Sequence, residues 1–243
     1  MSPIRSFACG LLLCCPGPLV FAQEAVEAAP QTVEVPEGIN EKFVDPQLDI
    51  QEWVERFEIE SREVFAARDA VLKACGVGPG DRVADVGAGT GFFSRLFSDA
   101  AGPEGWVFAV DISPRFLQHI NEQGARQDVT NITCVLGSDR SIRLPPNSVD
   151  LVFICDTYHH FEHPQATLES IENALKPEGT LVVIDFERIP GKSREFILGH
   201  VRGGKDVFRA EIMQAGFQFA EEVKIPGFEE NYFLRFRKPT SSD

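Results

Sequence analysis

The stretch Val83–Ser94, with the sequence VADVGAGTGFFS, decides how most of this 243-residue chain folds. It begins with an apolar run that carries one acid, continues with three glycines at alternate positions, and ends in an apolar segment. This order favours a buried strand, a tight turn and the start of a helix. Glycines let the backbone approach a ligand closely, and the first turn of a helix presents free N–H groups to it. The stretch therefore predicts a ligand-binding turn, with a plain structural turn as the alternative.

Short apolar runs alternate with amphipathic stretches on both sides of this turn, from about residue 50 onward. Because a helix that joins two neighbouring strands makes them parallel, the alternation predicts an α/β fold. We expect a Rossmann-like, doubly wound, seven-stranded sheet that is mostly parallel. Its last two strands are joined by a connection too short for a helix, so we expect an antiparallel C-terminal edge hairpin. The predicted strands are 82–86, 106–110, 132–136, 149–155, 180–185, 217–223 and 232–237, and the predicted helices are 50–75, 91–100, 114–123, 164–175 and 205–215.

The N-terminus has the features of a secretory signal peptide. Arg5 precedes a short apolar run, and small side chains precede a cleavage site after Ala22. The run is too short, and too interrupted by proline and glycine, for a membrane span. We therefore predict that residues 1–22 direct export to the periplasm or the medium, with no stable membrane insertion after their removal. The alternative is an uncleaved extension on a cytoplasmic protein.

The composition divides the remaining chain at about residue 50. Residues 23–49 are rich in Glu, Ala, Pro and Val without a sustained period, which predicts a disordered linker. Residues 50–243 carry the alternating pattern and predict one domain. Two of its segments are long or charged enough to cover a site, namely the helix predicted at 50–75 and the connection 187–205.

The charge balance bears on the class of ligand. The chain has 23 Lys and Arg residues against 37 Asp and Glu residues, which gives a formal net charge of -14. A surface of this sign repels phosphate backbones, so we predict no nucleic-acid partner. The acidic balance favours a small molecule instead.

Polar residues follow several of the predicted strands at the point where each strand ends. Asp111 ends the second strand. A carboxylate at this place can accept hydrogen bonds from both hydroxyls of a ribose, as in NAD and other adenosine cofactors. Ser138 and Asp139 follow the third strand, and 156–161 follows the fourth. Because the carboxyl ends of parallel strands meet at one edge of a sheet, we expect these residues to share one site.

Five segments occur in an order and spacing that resembles the class I S-adenosylmethionine-dependent methyltransferases. They are VADVGAGTGFFS from Val83, VFAVDIS from Val107, LGSDRSIRLPPNSVDLVF from Leu136, YHHF from Tyr158 and LKPEGTLVVIDF from Leu175. The resemblance covers residues 68–237 and is greatest to the branch that includes the ubiquinone and menaquinone biosynthesis methyltransferases. It implies that S-adenosylmethionine is the cofactor.

The resemblance also implies which residues hold that cofactor. In this family the acid and glycines of the first turn cradle the methionine end, and the acid after the second strand holds the ribose. The next residue packs on the adenine, whose edge meets a residue after the third strand. One extra residue before Leu144 leaves two candidates for that last position. The implied cofactor-binding residues are Asp85, Gly87, Ala88, Gly89, Gly91, Asp111, Ile112, Ser138 and Asp139.

The segment after the fourth strand supplies the candidates for catalysis. Methyl transfer requires an acceptor hydroxyl, thiol or acidic carbon to lose a proton, and histidine is the natural base at neutral pH. We expect His159 or His160 to be this base, with Asp156 orienting it. Tyr158 is a candidate for the aromatic face beside the cationic sulfonium, as are two phenylalanines of the first turn. The alternative is that the two histidines only shape the pocket.

No metal site is predicted. The cysteines downstream of residue 22 form no C-x-x-C pair, which argues against a cysteine-based zinc site. His159, His160 and His163 with Asp156 have ligand-like spacing, but a helix is predicted to begin directly after His163.

We therefore expect a methyltransferase that uses S-adenosylmethionine to methylate a small-molecule acceptor. The alternative is an exported protein of the same fold that binds the cofactor without turnover. A nicotinamide-dependent oxidoreductase is disfavoured, because the first turn has G-x-G-x-G in place of G-x-G-x-x-G.

Overall fold

The computed structural model of the chain describes residues 34–239. The predicted signal peptide and the first part of the predicted linker lie outside the described residues. The strands are β1 Arg82–Val86, β2 Trp106–Asp111, β3 Ile132–Leu136, β4 Val149–Cys155, β5 Leu175–Phe186, β6 Gln218–Glu222 and β7 Asn231–Arg237. The helices are α1 Glu41–Val44, α2 Ile50–Phe57, α3 Glu63–Ala66, α4 Arg68–Cys75, α5 Phe92–Ala101, α6 Pro114–Arg126, α7 Pro164–Ala174, α8 Glu195–His200 and α9 Lys205–Gln214, with a 3₁₀ turn at Tyr158–His160.

The seven described strands form one sheet in the order β3-β2-β1-β4-β5-β7-β6. The neighbours from β3 to β5 pair in parallel, and β7 pairs antiparallel with both β5 and β6. The predicted fold class is confirmed, including the antiparallel pair at the C-terminus. Within that pair β7 lies between β5 and β6, so that β6 is the edge strand of the hairpin.

The core lies on both faces of the sheet. Val83 and Ala84 of β1 are fully buried and belong to hydrophobic clusters on opposite faces. Helices cover both faces of a parallel sheet, so its central strands become apolar along their whole length. This burial explains the apolar runs at 151–155 in β4 and 181–184 in β5.

The strand order places the ligand site. In the sheet, β2 is the neighbour of β1 on one side and β4 is its neighbour on the other. The direction in which successive strands are added therefore reverses at β1. Ligands of doubly wound sheets bind beyond the carboxyl ends of the strands at such a reversal. The turn after β1, Asp111 and the segment after β4 all lie at this edge.

The helix predicted at 50–75 is divided into α2, α3 and α4. The backbone leaves helical geometry at Glu58, with φ -105° and ψ 58°. The break allows tertiary contacts that a continuous helix would forbid. Arg62 pairs with Asp156, and the carboxylate of Glu63 accepts the backbone N–H groups of Glu230 and Asn231. Helical periodicity alone did not reveal this break.

Residues 34–49 differ from the linker that the composition predicts. They include α1, and Leu48 packs with Trp53 and Phe116 in a small hydrophobic cluster. Asn40 donates hydrogen bonds to the carbonyl of His160 at 3.0 Å and to Glu162 at 2.8 Å. Long-range contacts therefore hold this stretch, which is too short to show a helical period. We call residues 34–67 the N-terminal segment.

The long connection after β5 contains α8, which the sequence pattern did not predict. This helix has six residues and includes a glycine, so it carries little periodic signal. Its buried residue Ile197 joins the main core, and its last residue is His200.

No helix in the described part of the chain is both long and apolar enough to cross a bilayer.

Candidate active site

A cavity of about 550 Å³ lies beyond the carboxyl ends of the central strands. Small-molecule and cofactor sites occupy about 300–1,000 Å³, so the cavity suits a ligand of that class. Its walls come from the turn after β1, the ends of β2 and β4, the N-terminal segment and α8. The predicted site residues that line it are Asp85, Gly87, Ala88, Gly89, Asp111, Ile112, Ser138, Asp139, Asp156, His159 and His160.

The first two glycines of the turn after β1 face the cavity, and close neighbours explain why they carry no side chain. Gly87 has φ +75°, and a Cβ atom there would lie 2.3 Å from the Thr157 side chain. Gly89 has φ +53°, and its Cβ atom would lie 3.3 Å from the Phe57 ring of the N-terminal segment. The turn is therefore packed between the segment after β4 and α2.

Gly91, which the resemblance implies as a cofactor-binding residue, does not line the cavity. Its φ is +78°, and a Cβ atom there would lie 2.6 Å from Cγ1 of Ile120 on α6. Gly91, the N-cap residue of α5, therefore lets the start of α5 pack closely against α6.

Gly91→Ala should lower the free energy of unfolding by about 2 kcal/mol, because it adds left-handed strain and overpacks Ile120. Urea denaturation measures this change. Gly124→Ala is the matched control, since Gly124 lies inside α6 with its nearest contact at 3.8 Å and no positive φ. The control should stabilise the protein slightly. An equal loss in both variants would contradict the packing function of Gly91.

Asp85 is a buried carboxyl at the end of β1. It accepts a hydrogen bond from the Ser94 hydroxyl at 2.6 Å. Burial raises its pKa to about 7, and the nearby Asp111 adds to this while the Ser94 hydrogen bond opposes it. A cation bound beside Asp85 would favour the ionised form. The carboxyl is therefore suited to meet a positively charged ligand.

The raised pKa of Asp85 predicts a specific pH dependence of stability. The folded protein holds this proton up to about pH 7, whereas the unfolded chain releases it near the ordinary value of 3.8. The stability contributed by protonated Asp85 is therefore present below about pH 4 and is lost as the pH rises through 7. Relative to Asp85→Asn, wild type should lose about 2 kcal/mol of unfolding free energy between pH 5 and pH 7.

Urea denaturation of wild type and Asp85→Asn at both pH values measures this difference. Asp99→Asn, at an exposed position on α5, is the control and should follow wild type at both pH values. Parallel pH profiles for wild type and Asp85→Asn would show that Asp85 ionises normally.

Asp111 connects the turn after β1 to the start of α6. Its two carboxylate oxygens accept the backbone N–H of Gly89 at 2.9 Å and that of Ser113 at 2.8 Å. Burial raises its pKa to about 6, and these hydrogen bonds oppose the shift. A carboxylate offers about four acceptor positions, so these hydrogen bonds leave room for hydroxyl groups of a ligand. Ile112 lines the cavity directly after it.

Ser138 and Asp139 lie together in a turn at the rim of the cavity. A bridge between Ser138 and Ser141 closes this turn. The Asp139 side chain is exposed and lies 3.3 Å from Nε2 of His163. Both residues line the cavity, so both Ser138 and Asp139 stay candidates for the residue that meets the adenine edge.

His159 and His160 both line the cavity, but Asp156 does not orient either of them. Asp156 instead forms an ion pair with Arg62 at 2.5 Å and accepts a hydrogen bond from Asn231. The carboxylate that orients His159 is Asp185, which lies 2.8 Å from its Nδ1 and also accepts its backbone N–H. Asp185 was not predicted from the sequence, although an acid inside an apolar run, as in β5, is a usable signal.

His200 is the second residue that the sequence did not identify. It ends α8 and lies with its Nε2 3.3 Å from Nε2 of His160. Burial lowers the pKa of His160 to about 2, and the adjacent imidazoles and Lys42 add to this shift. Burial also lowers the pKa of His200 to about 4. These two imidazoles are therefore neutral at physiological pH.

Tyr158 lies away from the cavity, contrary to the prediction. Its ring is fully buried, and its hydroxyl donates to Glu211 at 3.1 Å, beside the ion pair between Glu211 and Arg202. The 3₁₀ turn directs successive side chains to different sides, so Tyr158 enters the core while the two histidines face the cavity. Phe92 and Phe93 do line the cavity.

Comparison with known proteins gives the same family as the motifs. Residues 84–183 match the model of a methyltransferase domain. The chain is 30% identical over 118 residues to the ubiquinone/menaquinone biosynthesis C-methyltransferase UbiE of Cupriavidus necator, covering 49% of this chain and 48% of that protein. UbiE of Ectopseudomonas mendocina is 32% identical over 121 residues, covering 49% and 47%. The chain thus spans about half the length of the curated relatives it matches.

Solved structures share the fold over more of the chain. A SAM-dependent methyltransferase from Aquifex aeolicus superposes with a TM-score of 0.70 and 24% identity, over 79% of this chain and 99% of that one. A putative methyltransferase of Haloferax volcanii, solved with the activator Trm112, gives a TM-score of 0.66 and 21% identity over 80% and 100%. Residues 84–183 thus match a methyltransferase domain, and about half of the chain is similar to the UbiE C-methyltransferases.

Proposed function

We propose that this protein transfers the methyl group of S-adenosylmethionine to a small-molecule acceptor bound in the cavity. The observation that carries the proposal is the arrangement of Asp111, whose carboxylate holds Gly89 and lines the same cavity as the histidines. The candidate cofactor-holding and acceptor-facing residues therefore share one cavity. The net charge of -14 supports a small molecule rather than a nucleic acid as the acceptor.

The residues present fit the cofactor that the family implies. Asp85 is a buried carboxyl beside glycines that carry no side chain, which suits the cationic methionine end. Asp111 keeps acceptor positions for the ribose hydroxyls, and Ile112 offers an apolar surface to the adenine. When bound, this cofactor supplies an activated methyl group on a sulfonium. The protein has to position the acceptor and exclude water, and positioning alone can contribute about 7–11 kcal/mol.

The N-terminal segment covers one side of the cavity. Trp53 and Phe57 of α2 line the cavity and pack against Phe116 at the start of α6. The ion pair of Arg62 with Asp156 fixes the segment to the end of β4. Movement of this segment or of α8 would widen the entrance to the cavity, as lids do in other enzymes.

The imidazoles provide the proton chemistry of the acceptor side. Asp185 lies 2.8 Å from Nδ1 of His159, so Nε2 is the ring nitrogen left free for an acceptor. The neutral rings of His160 and His200 are adjacent. Nitrogen lone pairs in this place can interact with an acceptor hydroxyl or thiol and support loss of its proton.

A screen with methyl-labelled S-adenosylmethionine and fractionated small-molecule extract tests the proposal. Labelled product should appear with wild type and disappear with Asp111→Ala. If the cofactor binds but no extract fraction accepts the label, the alternative of a cofactor-binding protein without turnover is supported. Label in nucleic acid rather than in small molecules would contradict the acceptor class.

We also propose that residues 1–22 are a signal peptide and that the protein acts outside the cytoplasm. Arg5, the short apolar run and the small residues up to Ala22 support this. Cell fractionation with an antibody to the folded domain tests it. Protein confined to the cytoplasm at full mass would contradict export.

A further inference from the structure

Three imidazoles meet at the wall of the cavity, from two separate elements of the fold. His159 and His160 come from the 3₁₀ turn after β4, and His200 comes from the end of α8. One nitrogen of each ring lies within 4.8 Å of the corresponding nitrogens of the other two. The sequence suggested a different set, with His163 in place of His200, and predicted no metal. In the structure His163 contacts Arg140 and Asp139 instead.

The spacing of these nitrogens fits a tetrahedral metal ion. Zn²⁺ binds imidazole nitrogen at about 2.0–2.1 Å, so two ligand nitrogens on a tetrahedron lie about 3.3 Å apart. The Nε2 atoms of His160 and His200 are 3.3 Å apart. The spacing within the whole cluster reaches up to 4.8 Å, so the rings must move closer together for all three to bind one ion.

The surroundings of the cluster also fit a metal site. A histidine that binds a metal normally donates its other N–H to a carboxylate, which fixes the ring and raises its basicity. The contact of His159 Nδ1 with Asp185, at 2.8 Å between groups 2% and 0% exposed, has this form. The buried Nδ1 of His160 has no hydrogen-bond partner among the described residues, so this ring lacks the outer contact that Asp185 gives His159.

The charges near the cluster are balanced. The ammonium of Lys42 on α1 lies close enough to His160 and His200 to act on both. The carboxylate of Asp185 is hydrogen-bonded to the cluster and offsets this positive charge. By contrast, Asp156 is neutralised by Arg62 and contributes little net charge. A divalent cation would therefore be bound chiefly through nitrogen ligands.

We propose that His159, His160 and His200 bind a divalent transition metal ion of the Zn²⁺ class, with a fourth coordination position open to the cavity. Three protein ligands and one open position are the arrangement of a catalytic rather than a structural zinc site. Imidazole ligands favour Zn²⁺, Cu²⁺ or Ni²⁺ over Mg²⁺ or Ca²⁺.

The catalytic consequence rests on the proposed methyltransferase function. An acceptor hydroxyl or thiol in the open position would bind the ion and release its proton to water. The acceptor lone pair then forms the bond to the methyl carbon while the carbon–sulfur bond breaks and sulfur retains its electron pair. The site thus predicts an acceptor with an oxygen or sulfur atom that can bind a metal.

Titration of the metal-free full chain with Co²⁺ and Zn²⁺ tests the proposal. We expect one Co²⁺ per chain with the intense visible absorption of four-coordinate cobalt, and its displacement by one Zn²⁺. His200→Ala should weaken Zn²⁺ binding by at least about 100-fold, and Asp185→Asn by about 10–100-fold. His163→Ala, a histidine that does not line the cavity, should bind as wild type does. Circular dichroism checks that each variant is folded.

Two results would overturn the proposal, namely no saturable binding of Zn²⁺ or Co²⁺ by wild type, and unchanged binding by folded His200→Ala. Calorimetry with S-adenosylmethionine on the same samples distinguishes failure of the metal site from failure of the proposed function. Cofactor binding without metal binding would refute the metal site alone. Metal binding without cofactor binding would refute the proposed function and leave the site without its assigned catalytic use.

Discussion

Asp111→Ala should weaken the binding of S-adenosylmethionine by about 100-fold or more. The substitution removes the acceptor assigned to the ribose hydroxyls, and hydrogen bonds to a charged group contribute about 1.5–3 kcal/mol each. It also frees the N–H groups of Gly89 and Ser113, which the carboxylate holds at 2.9 Å and 2.8 Å. The turn after β1 would therefore lose its position as well as its ligand contact.

Calorimetric titration at fixed pH measures this loss. Asp111→Asn keeps the size of the side chain and one acceptor oxygen, so its affinity should lie between those of wild type and Asp111→Ala. Asp99→Ala, on the exposed side of α5, should bind as wild type does. Wild-type affinity in a folded Asp111→Ala protein would show that the ribose lies elsewhere.

His160→Ala should lower turnover by about 100-fold or more while it changes cofactor affinity less than about threefold. General acid–base groups contribute about 10²–10⁴ to rate, and loss of a metal ligand would act in the same direction. The ring lines the cavity beside His159 and His200, whereas the cofactor is assigned to the turn after β1 and to Asp111. The variant should therefore bind the cofactor almost as wild type does and still turn over much more slowly.

Single-turnover rates with a saturating labelled cofactor, combined with calorimetry, measure the two quantities. His163→Ala is the matched control, because His163 is close in sequence but does not line the cavity. Equal losses of cofactor affinity in His160→Ala and Asp111→Ala would show that the division of roles is wrong.

The sequence predicts most of the sheet because parallel strands buried on both faces leave continuous apolar runs. For the same reason Asp85 and Asp111 are conspicuous as acids that end such runs, and the structure places both at the cavity. The turn that follows β1 requires glycine at three positions. What the pattern did not show is that Gly91 faces α6 rather than the ligand, since packing between two helices leaves no local signal.

The acceptor side was harder to predict because long-range contacts build it. His200 lines the cavity because α8 packs on the core through Ile197. This six-residue helix has no clear period in the sequence. Asp185 lies 26 residues from His159, and the two meet only because β5 pairs beside β4. Similarly, Asp156 forms its ion pair with Arg62, which lies far away in the sequence, between α2 and α3. Such partners follow from the assembled sheet and not from local spacing.

Calorimetric titration of the full chain with S-adenosylmethionine, S-adenosylhomocysteine and NAD tests the central claim most directly. The cavity with Asp85, the glycine turn and Asp111 predicts that both methionine-derived ligands bind at one site per chain with micromolar affinity, and that NAD binds far more weakly. Affinities no better than millimolar for S-adenosylmethionine and S-adenosylhomocysteine, or a preference for NAD, would contradict the account.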